Sequence, residues 1–198
     1  MAKRRRLTKA IVVDTAAQMA DAAGRVDAVT LTALAAALGV RVPSLYNHVA
    51  SLDDLHHALT VESVRRLNGV FRDASMGKTG VDALLAMAHA YRRFAHAHPG
   101  IYALTVRGPE PDDEELGALV RDLLQTVLLV MASVGLHGDD ALHAMRGFRS
   151  ILHGFCSLET VEGFRLALDA DESFRRLVAT FMAGLGSGAG GSTQAGQA

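Results

Sequence analysis

"VTLTALAAALGVRVPSLYNHV", residues 29–49, decides the fold. Thr30 can accept a backbone N–H at a helix start, and Leu31, Leu34, Ala35 and Leu38 follow at i, i+3, i+4 and i+7, the apolar face of a short helix. Gly39 ends that helix, and only Val40, Arg41 and Val42 precede Pro43, which has no N–H to lose in the first turn of the next one. Two short helices joined by a tight turn containing glycine are a helix-turn-helix. On the second helix Val42, Leu45 and Val49 share the inward side, leaving Pro43, Ser44 and Asn47 outward with Tyr46 and His48 on the flanks.

That outward face has the chemistry of base reading. Asn47 suits bidentate pairing with adenine, Ser44 can donate and accept at base edges, and Pro43 offers apolar contact to a thymine methyl. Tyr46 and His48 reach sideways, where phosphates would lie. The competing reading is an ordinary solvated face on a small core helix, which would make Thr30, the glycine turn and the basic N-terminus coincidences.

Working outward, Val12, Ala16, Met19, Ala20 and Ala23 recur as one face of a helix of about four turns, with Thr8 placed to cap it and Gly24 placed to end it in the left-handed conformation. The net charge of −1 conceals an asymmetry. Residues 1–50 carry seven Lys and Arg against three Asp, a balance of +4, so the remaining 148 carry −5. A basic first quarter on an acidic body points to a polyanionic partner for the N-terminal end; a solubilising tail is the alternative for the Lys3, Arg4, Arg5, Arg6 run taken alone.

"VTLTALAAALGVRVPSLYNHVASLDDLHHAL", residues 29–59, resembles the DNA-binding signature of TetR-family transcriptional regulators, and the likeness extends over residues 8 to about 60. It implies a dimeric repressor whose larger helical domain binds a small molecule. The predicted DNA-binding set is Lys3, Arg4, Arg5, Arg6, Thr30, Thr32, Arg41, Pro43, Ser44, Tyr46, Asn47 and His48. One departure stands out: the family's fourth helix usually opens with a phosphate-holding lysine, and here that position is Leu52, followed by Asp53 and Asp54. Those acids suit a helix N-terminus but leave phosphate anchoring to the basic arm and Tyr46.

The expected fold is all-α: a three-helix DNA-binding domain over residues 1–50, a larger helical bundle over 51–185 and a disordered Gly/Ser-rich tail over 186–198, about nine helices in all. In the body, Leu84, Met87, Ala88, Tyr91 and Phe94 form one helical stripe, and a later helix from Leu116 to Met131 reads as buried. The penultimate long helix carries two seams: Met145, Phe148, Leu152 and Phe155, and beside them Ala144, Gly147, Ile151, Gly154 and Leu158. One domain core needs only one seam. The second, together with Phe174, Leu177, Val178 and Phe181 of the last helix, is the predicted dimer surface; a larger monomeric core is the rival.

"RSILHGFCSLE", residues 149–159, resembles a TetR subgroup with a Trp-His-Gly signature in its C-terminal domain, with Leu152 where the tryptophan would stand. The resemblance places the effector pocket among the middle helices, with Met87, Tyr91, Phe94, Tyr102, Leu128, Met131, Phe148 and His153 as candidates. Neither a metal nor a cofactor is expected: the acids 112–115 read as first-turn residues with no histidine in register, and nine histidines show no zinc-ligand spacing. Cys156, three residues after His153, reads as packing, so no enzyme is expected. A lone cysteine, no signal peptide and no long apolar run point to a soluble cytoplasmic chain. A helical ligand-binding protein or hydrolase with a vestigial DNA-binding unit is the alternative function, with Leu52, Asp53 and Asp54 its best support.

Overall fold

The computed structural model describes residues 6–188. Among them are nine α-helices: α1 (Lys9–Ala23), α2 (Leu31–Leu38), α3 (Val42–Leu45), α4 (Leu52–Ser75), α5 (Gly80–Ala97), α6 (Pro99–Tyr102), α7 (Glu114–Ala132), α8 (Gly138–Thr160) and α9 (Ala170–Gly188). Two single 3-10 turns, Val26–Ala28 and Ala103–Val106, complete the regular structure of the described residues, which contain no strand. The expectation of an all-α chain is met.

The chain packs as two compact units. The first comprises the chain through Leu67 together with Ala97–Val120, and the second Asn68–His96 together with the chain from Arg121. Packing therefore divides the molecule elsewhere than at residue 50: α4 starts within the first unit and crosses its boundary after Leu67, and α6 joins the first unit.

In the first unit the helix ends are fixed by short-range bonds. The Ile11 N–H donates to Thr8 Oγ1 at 3.3 Å and the Ala33 N–H to Thr30 Oγ1 at 3.2 Å, each occupying one of the donors a helix start leaves over. Gly24 and Gly39 end α1 and α2 at φ 70° and 65°, where a side chain would be strained. The core is built from Val12, Ala16 and Ala20 of α1, Leu34 of α2, Leu45, Val49, and Leu55 and Leu59 of α4, all essentially without solvent exposure. Each such large side chain contributes about 1.5–3 kcal/mol by leaving water. The apolar face of α1 is turned from the expected one: Val13 and Ala17 are buried and Ala23 is exposed.

Ile101 of α6 enters the same core. A Cβ added at Gly100 would overlap the Ala20 carbonyl carbon and oxygen, so α6 lies directly on the α1 backbone. Asp21 holds it there: its Oδ1 accepts from the Gly100 and Ile101 N–H groups at 3.1 and 3.2 Å, and its Oδ2 lies 2.8 Å from His98 Nδ1. Ser63 Oγ, on α4, donates to the Ile101 carbonyl at 2.7 Å.

The second unit buries Leu84, Met87, Ala88, Tyr91 and Phe94 of α5, Val127, Val130 and Met131 of α7, Phe148, Leu152 and Phe155 of α8, and Phe174, Val178 and Met182 of α9. One polar cluster ties α5 to the junction of α8 and α9. The Arg92 guanidinium donates to both Glu159 oxygens at 2.6 and 2.9 Å, reaches Asp171 at 2.8 Å, and lies over the rings of Phe155 and Phe174. Burial pushes the Glu159 carboxyl up, but the Arg92 hydrogen bonds and charge, with His96 at 3.1 Å, hold it below the ordinary carboxylate value.

The reading of α7 as a buried helix fails on one side: Leu124 and Leu128 are half-buried and Leu129 is 66% exposed. The last helix continues through Gly188, past the expected end of order at 185, since a helix already anchored by Phe174, Val178 and Met182 gains a hydrogen bond for each residue added. The rest of the expected disordered tail, 189–198, lies outside the described residues.

Candidate nucleic-acid interface

The turn between α2 and α3 is set by backbone bonds. Val40 N–H donates to Ala35 O at 3.0 Å and Gly39 N–H to Ala36 O at 3.1 Å, a glycine-ended helix stop after which Arg41 is extended and α3 begins. α3 is a single α-turn, extended by a turn over Tyr46–His48 in which Leu45 O accepts from the N–H groups of His48 and Val49 at 2.8 and 3.0 Å. Leu45 and Val49 are buried and pin this segment from both ends. Arg41, Pro43, Asn47 and Tyr46 are exposed, Tyr46 at 53%, whereas Ser44 and His48 are half-buried. The outward face is thus Pro43, Tyr46 and Asn47, with Ser44 at its edge. Thr30 and Thr32 are exposed at the start of α2, and Thr30 Oγ1 is engaged as the cap. Arg6 is exposed; Lys3, Arg4 and Arg5 lie outside the described residues.

The acids that open α4 are disposed differently from one another. Asp54 N–H donates to Ser51 Oγ at 3.0 Å and Asp54 Oδ2 accepts from Ala50 N–H at 2.7 Å, a reciprocal capping pair. Asp54 Oδ1 also faces Lys9 Nζ at 3.9 Å. This carboxylate is spent on the protein. Asp53 and Leu52 remain exposed.

A histidine does lie beside the acids before α7, contrary to the sequence reading. His57 Nε2 of α4 is 2.8 Å from Asp113 Oδ2, while Asp113 Oδ1 accepts from Leu116 N–H at 3.0 Å. The Leu116 bond is the chief cause that holds the Asp113 carboxyl below its usual range. The partners are fifty-six positions apart, so no local spacing could show them. Among the described residues no three His, Cys, Asp or Glu are grouped to hold a metal. Burial first, and then the Glu159 charge, pushes the Cys156 thiol up to about 12, which keeps it protonated and unreactive.

The effector candidates separate. Met87, Tyr91, Phe94, Met131 and Phe148 are all buried in the second unit, and His153 is half-buried on α8, its pKa lowered by burial and by the Arg149 charge. Tyr102 belongs to the first unit. Leu128 lies on the open side of α7 with Leu124 and Leu129. The dimer candidates separate too. Phe174 and Val178 are wholly buried within the single chain and have no surface to offer a second copy. A Cβ on Gly147 would come within 3.1 Å of the Phe181 ring of the same chain, whereas one on Gly154 would meet nothing within 4 Å. Ile151, Gly154 and Leu158, the last 49% exposed, form an outward strip on α8, with half-buried Ala144 before it and half-buried Leu177 and Phe181 on α9.

The model of the tetracyclin repressor-like C-terminal domain matches residues 84–181. An uncharacterized HTH-type transcriptional regulator of Mycobacterium tuberculosis, Rv0681, is 38% identical over 93% of this chain and 84% of its own length. Another, YobS of Bacillus subtilis, is 36% identical over 93% of this chain and 96% of its own. The chain belongs to the TetR family of transcriptional regulators. The fold agrees: the TetR family protein ActR of Streptomyces coelicolor, solved in complex with (S)-DNPA, superposes with a TM-score of 0.66 at 20% identity, covering 93% of this chain and all of that one. The family is one of DNA-binding transcriptional regulators, not enzymes. No helix among the described residues is long and apolar enough to cross a membrane.

Proposed function

We propose that this TetR-family regulator represses transcription by binding a palindromic operator as a homodimer and that a small molecule in its second unit releases it. The observation that carries the reading is the segment 43–47, whose exposed Pro43, Tyr46 and Asn47 stand on buried Leu45 and Val49. Asn47 reads an adenine edge, Pro43 touches a thymine methyl, and Tyr46 and Arg41 hold phosphates. One such short segment supplies little discrimination, so a second copy is needed. The strip of half-buried Ile151 with exposed Gly154 and Leu158 supports pairing there through a close helix crossing. Two reading segments fit successive major grooves when they stand roughly 34–36 Å apart, and a ligand that prefers another spacing lowers the affinity by population shift. A gel shift with duplexes from the gene's own upstream region tests this at low salt. A retarded band that the right ligand abolishes is expected; no retention of any fragment overturns the reading.

A further inference from the structure

Residues 161–169, which join α8 to α9, form a loop that is held at both feet and largely uncovered. One guanidinium holds the feet. Arg92 of α5 donates to both oxygens of Glu159, in the last turn of α8, and reaches Asp171, in the first turn of α9. Inside the loop the backbone is tied as well: Gly163 N–H donates to Leu158 O at 2.8 Å, Leu168 N–H to Leu166 O at 2.7 Å, and Asp169 Oδ1 accepts from Asp171 N–H at 2.9 Å. Glu162 takes the left-handed conformation at φ 52°, which a residue with a side chain keeps only where its surroundings hold it. The Phe164 ring sits 4.8 Å from that of Phe155 and roots the loop on α8.

The side chains that this fixed loop displays are ill suited to water. Val161 is 69% exposed, Leu166 79% and Leu168 74%, and Phe164 shows 45% of its surface. Single exposed apolar residues are ordinary, but these four fall within eight positions, and a contiguous apolar patch marks a contact surface. The charges around it decide the kind of partner. Arg165 stands against Glu162 and Asp169, all exposed, so the loop carries no field that would draw a nucleic acid or an anionic membrane. Its position decides the partner's identity. Gly163 lies against Leu158: a Cβ on it would meet the Leu158 carbonyl oxygen at 3.0 Å and Cδ2 at 3.3 Å. Leu158 is the last residue of the α8 strip assigned above to pairing, so the loop continues that strip without a gap.

We propose that the occupant of this patch is a second copy of this chain: the loop is an arm that extends the pairing surface beyond α8 and lays Val161, Leu166 and Leu168 on the α8–α9 pair of the partner. The inference rests on the homodimer reading and adds to it. Arg92 thereby positions the arm as well as the helices, and a loop already shaped in the single chain loses little freedom on pairing.

Sedimentation across a dilution series of the full chain reads pairing, and a single thiol reads the arm. Leu166→Lys with Leu168→Lys should raise the dimer dissociation constant about a hundredfold or more at unchanged helicity, since two large apolar side chains are no longer taken out of water. Met76→Lys, at a position 72% exposed between α4 and α5, should leave it unchanged. Cys156 is buried and its thiol stays protonated, so in Leu166→Cys the new thiol alone reacts with dithiobis(nitrobenzoate). That reaction should run about tenfold or more slower in the dimer than after dilution to monomer. Equal rates in dimer and monomer, or a folded lysine variant that pairs as tightly as the wild type, overturn the arm and spare pairing at Gly154. A wild-type chain that stays monomeric at every concentration overturns both. Should the double variant lose helicity, the thiol rates decide alone.

Discussion

In the helix-turn-helix unit the side chains that start helices bond three or four positions along the chain: Thr8 to Ile11, Thr30 to Ala33, Ser51 to Asp54 and Asp54 to Ala50. In the second unit the dominant polar cluster joins Arg92 to Glu159, sixty-seven positions away, and to Asp171. The difference separates two ways of specifying a shape. The surface that presents Pro43, Tyr46 and Asn47 has its helix ends set by local chemistry, on a core that buries Leu45 and Val49. The second unit is determined by which distant helices meet.

The first unit has long-range contacts of its own, and breaking the seat of α6 on α1 should have the largest effect. Gly100→Ala places a methyl against the Ala20 backbone, where no rotamer can relieve it, and should cost about 3 kcal/mol or more in urea denaturation followed by circular dichroism. An unchanged midpoint would show that α6 is not seated on α1.

Next in size is the long-range cluster. Glu159→Gln leaves Arg92 partly compensated by Asp171 and should cost about 2–4 kcal/mol. The Glu159 pKa lies below its unfolded value, so the wild type holds this stability above about pH 4.5 and loses it as the pH falls through the folded pKa. Unfolding curves from pH 7 to 3 should therefore converge for wild type and variant at the acid end; parallel curves would deny Glu159 that role.

These contrasts explain what was legible beforehand. Thr8, Thr30, Gly24, Gly39 and Pro43 are local signals, and the helix ends they announce are observed. An apolar stripe, by contrast, states that a face is covered but not by what. Phe174 and Val178 suit a partner surface by spacing and are covered by their own chain; the α7 stripe suits a core and leaves Leu124 and Leu128 only half-buried. His57 meeting Asp113, and Asp54 turning back to Ala50, depend on where α4 lies and have no signature in spacing.

A local cap should matter less than either long-range feature. Thr30→Ala, removing one bond at the start of α2, should cost about 1 kcal/mol. A loss comparable with that of Glu159→Gln would erase the contrast between the two units.

The smallest effect on folding, with the clearest effect on assembly, is expected at Gly154. A Cβ there meets nothing within 4 Å, so Gly154→Leu should leave the melt unchanged or raise it by about 1 kcal/mol through helix propensity. Sedimentation should show monomers with weakened operator affinity, since the two half-site contacts are no longer linked. A folded dimer would place the pairing surface elsewhere.

Whether residues 43–47 read base pairs is decided by base-preference profiling of bound duplexes. Asn47→Ala should relax the preference at one base pair in each half-site, at about 1–3 kcal/mol of discrimination, while Tyr46→Phe weakens all duplexes by one common factor. An Asn47→Ala profile identical to that of the wild type would contradict base reading by this segment.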